Sequence, residues 1–128
     1  MIQEAYVSFE TAKLLKEKGF DENTLMVYMS YGDLCKCNRY DSIRNSNYND
    51  ITKNYFECTA PTHQMAMKWL REVHNIDICV FPYQTDYISY SYKVKIYKNK
   101  EIYLTITDSK TYEDAIEEAL KYCLQNLI

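Results

Sequence analysis

The sequence predicts an α+β protein: a mostly antiparallel sheet of four to five strands with three helices, in the order α-β-β-α-β-β-β-α. Three observations predict it. Amphipathic helical patterns lie near both ends and in the middle, alternating apolar and polar runs fill residues 88–106, and turn residues separate the runs at hairpin spacing. A chain of 128 residues with 47% hydrophobic and 26% charged residues has the size and composition of one globular domain, so 1–128 is expected to form a single α+β domain.

The first helix is expected over 9–18. Ser8 suits its N-cap, Glu10 its first turn, and Gly19 supplies the left-handed residue that ends it. Phe9, Thr11, Ala12, Leu14 and Leu15 share one arc, and Glu10, Lys13, Lys16 and Glu17 the other. Residues 25–31 are apolar and aromatic and stop at Gly32-Asp33, as a strand ending in a turn does. From 33 to 54, Asn, Asp, Ser and Tyr dominate without a sustained period. That stretch is expected to be a mobile loop or irregular hairpin, with a short strand at 34–40 and another near 54–58.

Thr59 or Thr62, with Pro61, announces the second helix, which runs to Asn75. Met65, Ala66, Trp69, Leu70 and Val73 form the centre of an apolar arc covering more than half the wheel, with His63, Met67 and His74 at its margin. Ile76 to Tyr83 reads as a strand stopped at Pro82 and the turn residues after it. In 88–96, Ile88, Tyr90, Tyr92, Val94 and Ile96 alternate with Ser89, Ser91, Lys93 and Lys95; in 102–106, Ile102, Leu104 and Ile106 repeat the pattern. A two-residue loop would pair Ile96 with Tyr103 and set the two apolar rows on opposite faces. A three-residue loop around Asn99, pairing Ile96 with Ile102, is therefore expected. Thr111 and Asp114 resemble a capping box, and the last helix runs to about Asn126 with Ala115, Ile116, Ala119, Leu120, Cys123, Leu124 and Leu127 on one face.

The residue inventory excludes several chemistries. The chain has two glycines, at 19 and 32, so a glycine-rich phosphate cradle of the Walker or dinucleotide type has no residues to build it. No G-x-S-x-G, H-E-x-x-H or EF-hand pattern occurs. No apolar run approaches the roughly 20 residues that cross a bilayer. The opening Met-Ile-Gln-Glu-Ala-Tyr has neither a basic nor an apolar export region, and five cysteines are an odd number, so reduced thiols and a cytoplasmic location are expected, with no membrane partner and no cofactor.

Four chemistries remain for the side chains. Cys35, Cys37 and Cys58 would supply metal ligands if the strands near 34–40 and 54–58 paired. His63 and His74, on one face of the second helix, lie about 16 Å apart along its axis and cannot share an ion. Cys58 precedes the second helix, whose amino end favours a thiolate, and His63 is the nearest base; this pair is the candidate for thiol catalysis. Lysine and tyrosine interleave from Tyr90 to Lys100, but alternation leaves only Tyr97 and Tyr103 to join Lys93 and Lys95 on one face, a small nucleic-acid surface. Met65, Met67 and Trp69, with fourteen tyrosines, are residue types enriched in interface cores; a helix with so wide an apolar arc is either covered from two directions, the favoured outcome, or partly exposed for a partner, and a protein partner or self-association is the preferred functional expectation.

The segment Ala-Pro-Thr-His-Gln-Met-Ala-Met-Lys-Trp-Leu-Arg-Glu-Val-His at 60–74 resembles a family of small uncharacterised proteins from gut Bacteroides-type bacteria and their phages or prophages. The stretches 6–20 and 111–127 are similar to it as well, whereas 33–54 is not. The resemblance implies an accessory protein in a bacterial cytoplasm and brings no activity or catalytic residue. The function expected is a non-enzymatic protein-binding accessory module; the alternatives are a thiol enzyme at Cys58 and a weak nucleic-acid binder.

Overall fold

Ser8, in extended conformation, accepts a hydrogen bond from the Thr11 amide and starts α1, Phe9–Glu17. The helix ends as its residue pattern predicts, because Gly19 takes φ +93°, where a side chain would be strained. In the computed structural model, which describes residues 2–36, 42–47, 56–84, 86 and 90–128 (without the side chains of 47 and 103–108), α1 is followed by β1, Met26–Tyr28, β2, Leu34–Lys36, and β3, Cys58–Thr59. Then come α2, His63–His74; β4, Ile76–Gln84; β5, Tyr90–Lys98; β6, Glu101–Ser109; and α3, Tyr112–Asn126. Among the described residues the fold is α+β with three α-helices and antiparallel strands, in the expected order with one further short strand before α2. In place of the single sheet of four to five strands expected, the described strands form two three-stranded sheets, β2-β1-β3 and β4-β5-β6. The chain divides into two compact units, residues 1–62 and 63–128.

In the first unit β1 is the central strand, pairing Val27 with Cys35 and Thr59, and Tyr28 with Leu34 and Cys58. Opposed residues share a face. One face therefore presents Val27 and Cys35 to Ile43, Phe56 and Met29. The other presents Tyr28 to Phe9 of α1, their rings 5.3 Å apart, and the Tyr28 hydroxyl donates to the Val7 carbonyl. Gly32 closes the β1–β2 turn at φ +91°, and a Cβ there would stand 3.2 Å from the Phe9 ring, so conformation and packing both require glycine.

Part of the expected mobile stretch is docked. Ile43 is 2% exposed and exchanges two backbone hydrogen bonds of 2.8 Å with Thr24, while the Asn45 amide donates to the Phe20 carbonyl and its oxygen accepts from the Thr59 amide. Residues 42–47 thus form an irregular segment with an isolated bridge to Thr24, anchored by partners from Phe20 to Thr59. Residues 37–41 and 48–55, where the rest of that expectation falls, lie outside the described residues.

In the second unit α2 and α3 touch each other and share the contacts to β4, so both lie on one side of the sheet. Ile76, Val94 and Ile96 are 0% exposed on that side, against Ala66 and Leu70 of α2 and Ala115, Ile116, Ala119, Leu120, Cys123 and Leu124 of α3 as the other buried members. The same face is exposed at Pro82, Gln84 and Tyr90, so the core ends about midway along the sheet. Pro82 is tolerated because β4 is an edge strand.

The β5–β6 connection departs from expectation in an informative way. It has two residues, Asn99 and Lys100, both left-handed at φ 52° and 68°, and it pairs Lys98 with Glu101 and Tyr97 with Ile102. The register then shifts: Ile96 faces Leu104 and Val94 faces Ile106. Tyr103 is the extra residue of a β-bulge. A two-residue turn of this twist suits an antiparallel ribbon, and the bulge restores the even-with-even pairing that the three-residue loop was expected to provide. Ile102 lies on the turn side of the bulge, opposite Tyr97, and is 64% exposed rather than inward as expected. Ile88, another inward expectation, lies outside the described residues. A left-handed lysine costs about 1–2 kcal/mol, partly offset by the chain entropy a glycine loses, so Lys100→Gly is expected to raise stability by about 0.5–1 kcal/mol in urea unfolding.

Candidate functional site

The thiols are placed first by the strand order. Cys35 on β2 and Cys58 on β3 flank β1 from opposite sides, so the two strands do not pair. Two strand spacings separate them by about 10 Å, and adjacent registers put them on opposite faces, whereas two sulfurs on one zinc ion stand within about 4.6 Å. The Cys35–Cys58 metal pair is thereby corrected, and Cys37 lies outside the described residues. Among the described residues no group of three His, Cys, Asp or Glu side chains gathers closely enough to hold a metal ion.

Cys58 is fully buried. Burial pushes its thiol up to about 11, with Lys16 and Lys13 pulling down and Glu57 adding to the rise. A strand residue withdrawn from water in this way is held as the thiol, not the thiolate, at neutral pH. His63, 5% exposed at the start of α2, has its Nε2 in a 2.8 Å hydrogen bond with Glu117 Oε1 of α3. The bond ties the two helices together across the face that covers the sheet. Ser109 repeats the device, its hydroxyl donating to Glu118 at 2.9 Å. At the other end of α2, burial first and the Lys98 ammonium second hold His74 below the ordinary imidazole range, with its ring edge-on to Trp69 at 4.8 Å.

The apolar arc of α2 is spent on packing. Met67 and Trp69 are 8% and 6% exposed and Met65 is half-buried, while Val73, expected in the centre of the arc, is 57% exposed. The buried side is rotated toward His63 and Met67, the side on which His63 bonds Glu117 of α3. Met67 and Trp69 are thus covered, one of the two outcomes that so wide an arc allows.

What remains is the sheet face turned away from α2 and α3. Register assigns it Asp77, Cys79, Phe81 and Tyr83 from β4, facing Tyr97, Lys95, Lys93 and Ser91 from β5, with Ile102 beside Tyr97. Lys93 and Lys95 each lean diagonally onto a ring of β4. The Lys93 Nζ stands 3.7 Å from the Tyr83 centroid and the Lys95 Nζ 5.6 Å from that of Phe81. Among the described residues neither ammonium has a carboxylate within ion-pair distance. Cys79 and Tyr83 are exposed, and Phe81, Lys93, Lys95 and Tyr97 are partly so.

Lys93, Lys95 and Tyr97 are thus brought together on one surface, as their alternation predicts; the side chain of Tyr103 lies outside the described residues. Phe81 and Tyr83 were missed. Their signal is in the sequence, since pairing Ile78 with Ile96 and Val80 with Val94 also sets Phe81 opposite Lys93. Among the described residues no helix is long and apolar enough to cross a membrane. Comparison with family models, curated proteins and solved structures finds no match to this chain.

Proposed function

We propose that this protein is a non-enzymatic binding module, an accessory of a bacterium or its phage acting in the cytoplasm, and that its contact surface is the face of β4–β6 opposite the helices. The observation that carries this reading is the pair of lysines lying on Tyr83 and Phe81 with no carboxylate to neutralise them among the described residues. Rings and cations on one partly exposed face supply apolar area and charge together, which is what a macromolecular contact uses. A protein partner or a second copy, expected from α2, would on this reading meet the sheet instead. The thiol alternative has less support, since the Cys58 sulfur is buried and its pKa is raised.

The test is retention of a partner from bacterial lysate on the immobilised protein and on a Tyr83→Ser, Lys93→Ser variant. Substitutions at such a surface cost about 0.5 kcal/mol or less each, so the variant keeps its fold, as circular dichroism checks. The wild type is expected to retain a partner that the variant loses at least tenfold. Equal retention by both removes the sheet face from the reading.

A further inference from the structure

We infer that the ligand of this face is single-stranded nucleic acid, with Phe81, Tyr83 and Tyr97 as stacking rings and Lys93 and Lys95 as phosphate ligands. The inference rests on the contact-surface reading and adds the chemical class of the partner.

Three features favour a polyanion with planar bases over a protein. The first is charge. On this face the described side chains include two ammonium groups and one carboxylate, Asp77, which lies at the end by the turn, one same-face register from Lys95 and two from Lys93, leaving the face with a net positive charge. The chain as a whole carries −3, but charges more than about 10 Å away are largely screened at 0.1 M salt, so the local pair decides.

The second is exchange. A lysine lying on an exposed ring gains about 0.5–1 kcal/mol, and a base stacked on a ring about 1–3 kcal/mol. A base therefore displaces the ammonium from the ring, and the freed ammonium is already within reach of the phosphate that follows that base. The third is spacing. Phe81 and Tyr83 are alternate residues of one strand, about 7 Å apart, roughly twice the ~3.4 Å rise between stacked bases, so successive bases meet successive rings only when the strand is unstacked and extended, as a single strand can be. A duplex hides its base faces and has no use for the rings.

The experiment is fluorescence anisotropy of labelled oligothymidylate with the full chain across a salt series, beside a duplex of equal length. Salt-dependent binding of the single strand is expected, weakened roughly 5- to 150-fold by Phe81→Ala or Tyr83→Ala. Lys93→Gln and Lys95→Gln should each lower the slope of log affinity against log salt by about 0.7. Circular dichroism and Trp69 fluorescence establish that each variant is folded. No binding at low salt, binding that none of the four substitutions changes, or equal binding of the duplex overturns the inference. Repeating the lysate capture after nuclease treatment separates the two claims. A protein partner still lost on Tyr83→Ser, Lys93→Ser keeps the contact surface and removes the nucleic acid, while capture that never depends on the face removes both.

Discussion

Replacing Ile96 by alanine is expected to destabilise the protein by about 2–5 kcal/mol, and the same change at Ile102 by no more than about 0.5 kcal/mol. Simple alternation puts these two residues in one inward row, and the register separates them. Ile96 is 0% exposed beneath the helices and Ile102 is 64% exposed beside Tyr97. Truncating Ile96 removes buried methylenes and leaves a cavity that α3 and β5 close only in part; truncating Ile102 exposes nothing new. Urea unfolding followed through Trp69, the single tryptophan, measures both. Similar costs at the two positions would mean that no bulge stands at Tyr103 and that the strands pair in another register.

That contrast locates what periodicity can and cannot carry. Helix ends were legible because they depend on near neighbours. Ser8 and Thr111 each accept from the amide three residues on, and Gly19 is left-handed, all within reach of a local pattern. The inward facing of Val94 and Ile96 was legible for the same reason. A bulge, by contrast, breaks the alternation of the strand that carries it, setting Ile102 opposite outward Tyr97 and Leu104 opposite inward Ile96, while the apolar pattern of 102–106 runs on unbroken and so does not reveal it. Ile43 is a second case. It is an isolated apolar residue in a polar stretch, with no period to mark it, and its burial comes from pairing with Thr24, nineteen positions away. On α2 the apolar arc is wider than the buried side, so hydrophobicity alone does not choose that side; the side that is buried is the one carrying the His63 bond to Glu117, 54 positions away.

The candidate site divides along the same line. Lys93, Lys95 and Tyr97 share a face by alternation within one strand, which is local information. Phe81 and Tyr83 reach that face through the β4–β5 register, and the metal triad failed through strand order, with β1 lying between β2 and β3. Both are relations between segments. Where a single strand was enough the residues were found, and where two strands had to be set against each other they were not.

Alkaline pH is expected to destabilise the fold through two buried thiols, beginning near pH 9. Burial pushes Cys58 up from 9.0 to about 11 and Cys123, in the core face of α3, up from 9.0 to about 12. Above pH 9 the unfolded chain releases these protons while the folded chain keeps them, so stability falls by about 1.4 kcal/mol per pH unit for each thiol until the folded group also ionises. The loss is of the order of 3 kcal/mol from Cys58, ending near pH 11, and of 4 kcal/mol from Cys123, ending near pH 12; below pH 8 neither contributes. Alkali also titrates tyrosines and lysines elsewhere, so the measurement is a comparison. Urea unfolding between pH 8 and 11 should show a shallower decline for Cys58→Ala and for Cys123→Ala than for the wild type, whatever each substitution costs at pH 8. Thiol labelling gives the kinetic counterpart. At pH 8 iodoacetamide should modify the exposed Cys79 and leave Cys58 and Cys123 intact in the native state. Labelling of Cys58 as fast as Cys79 would mean that its sulfur is not sealed between β3 and α1, and would return thiolate chemistry to consideration.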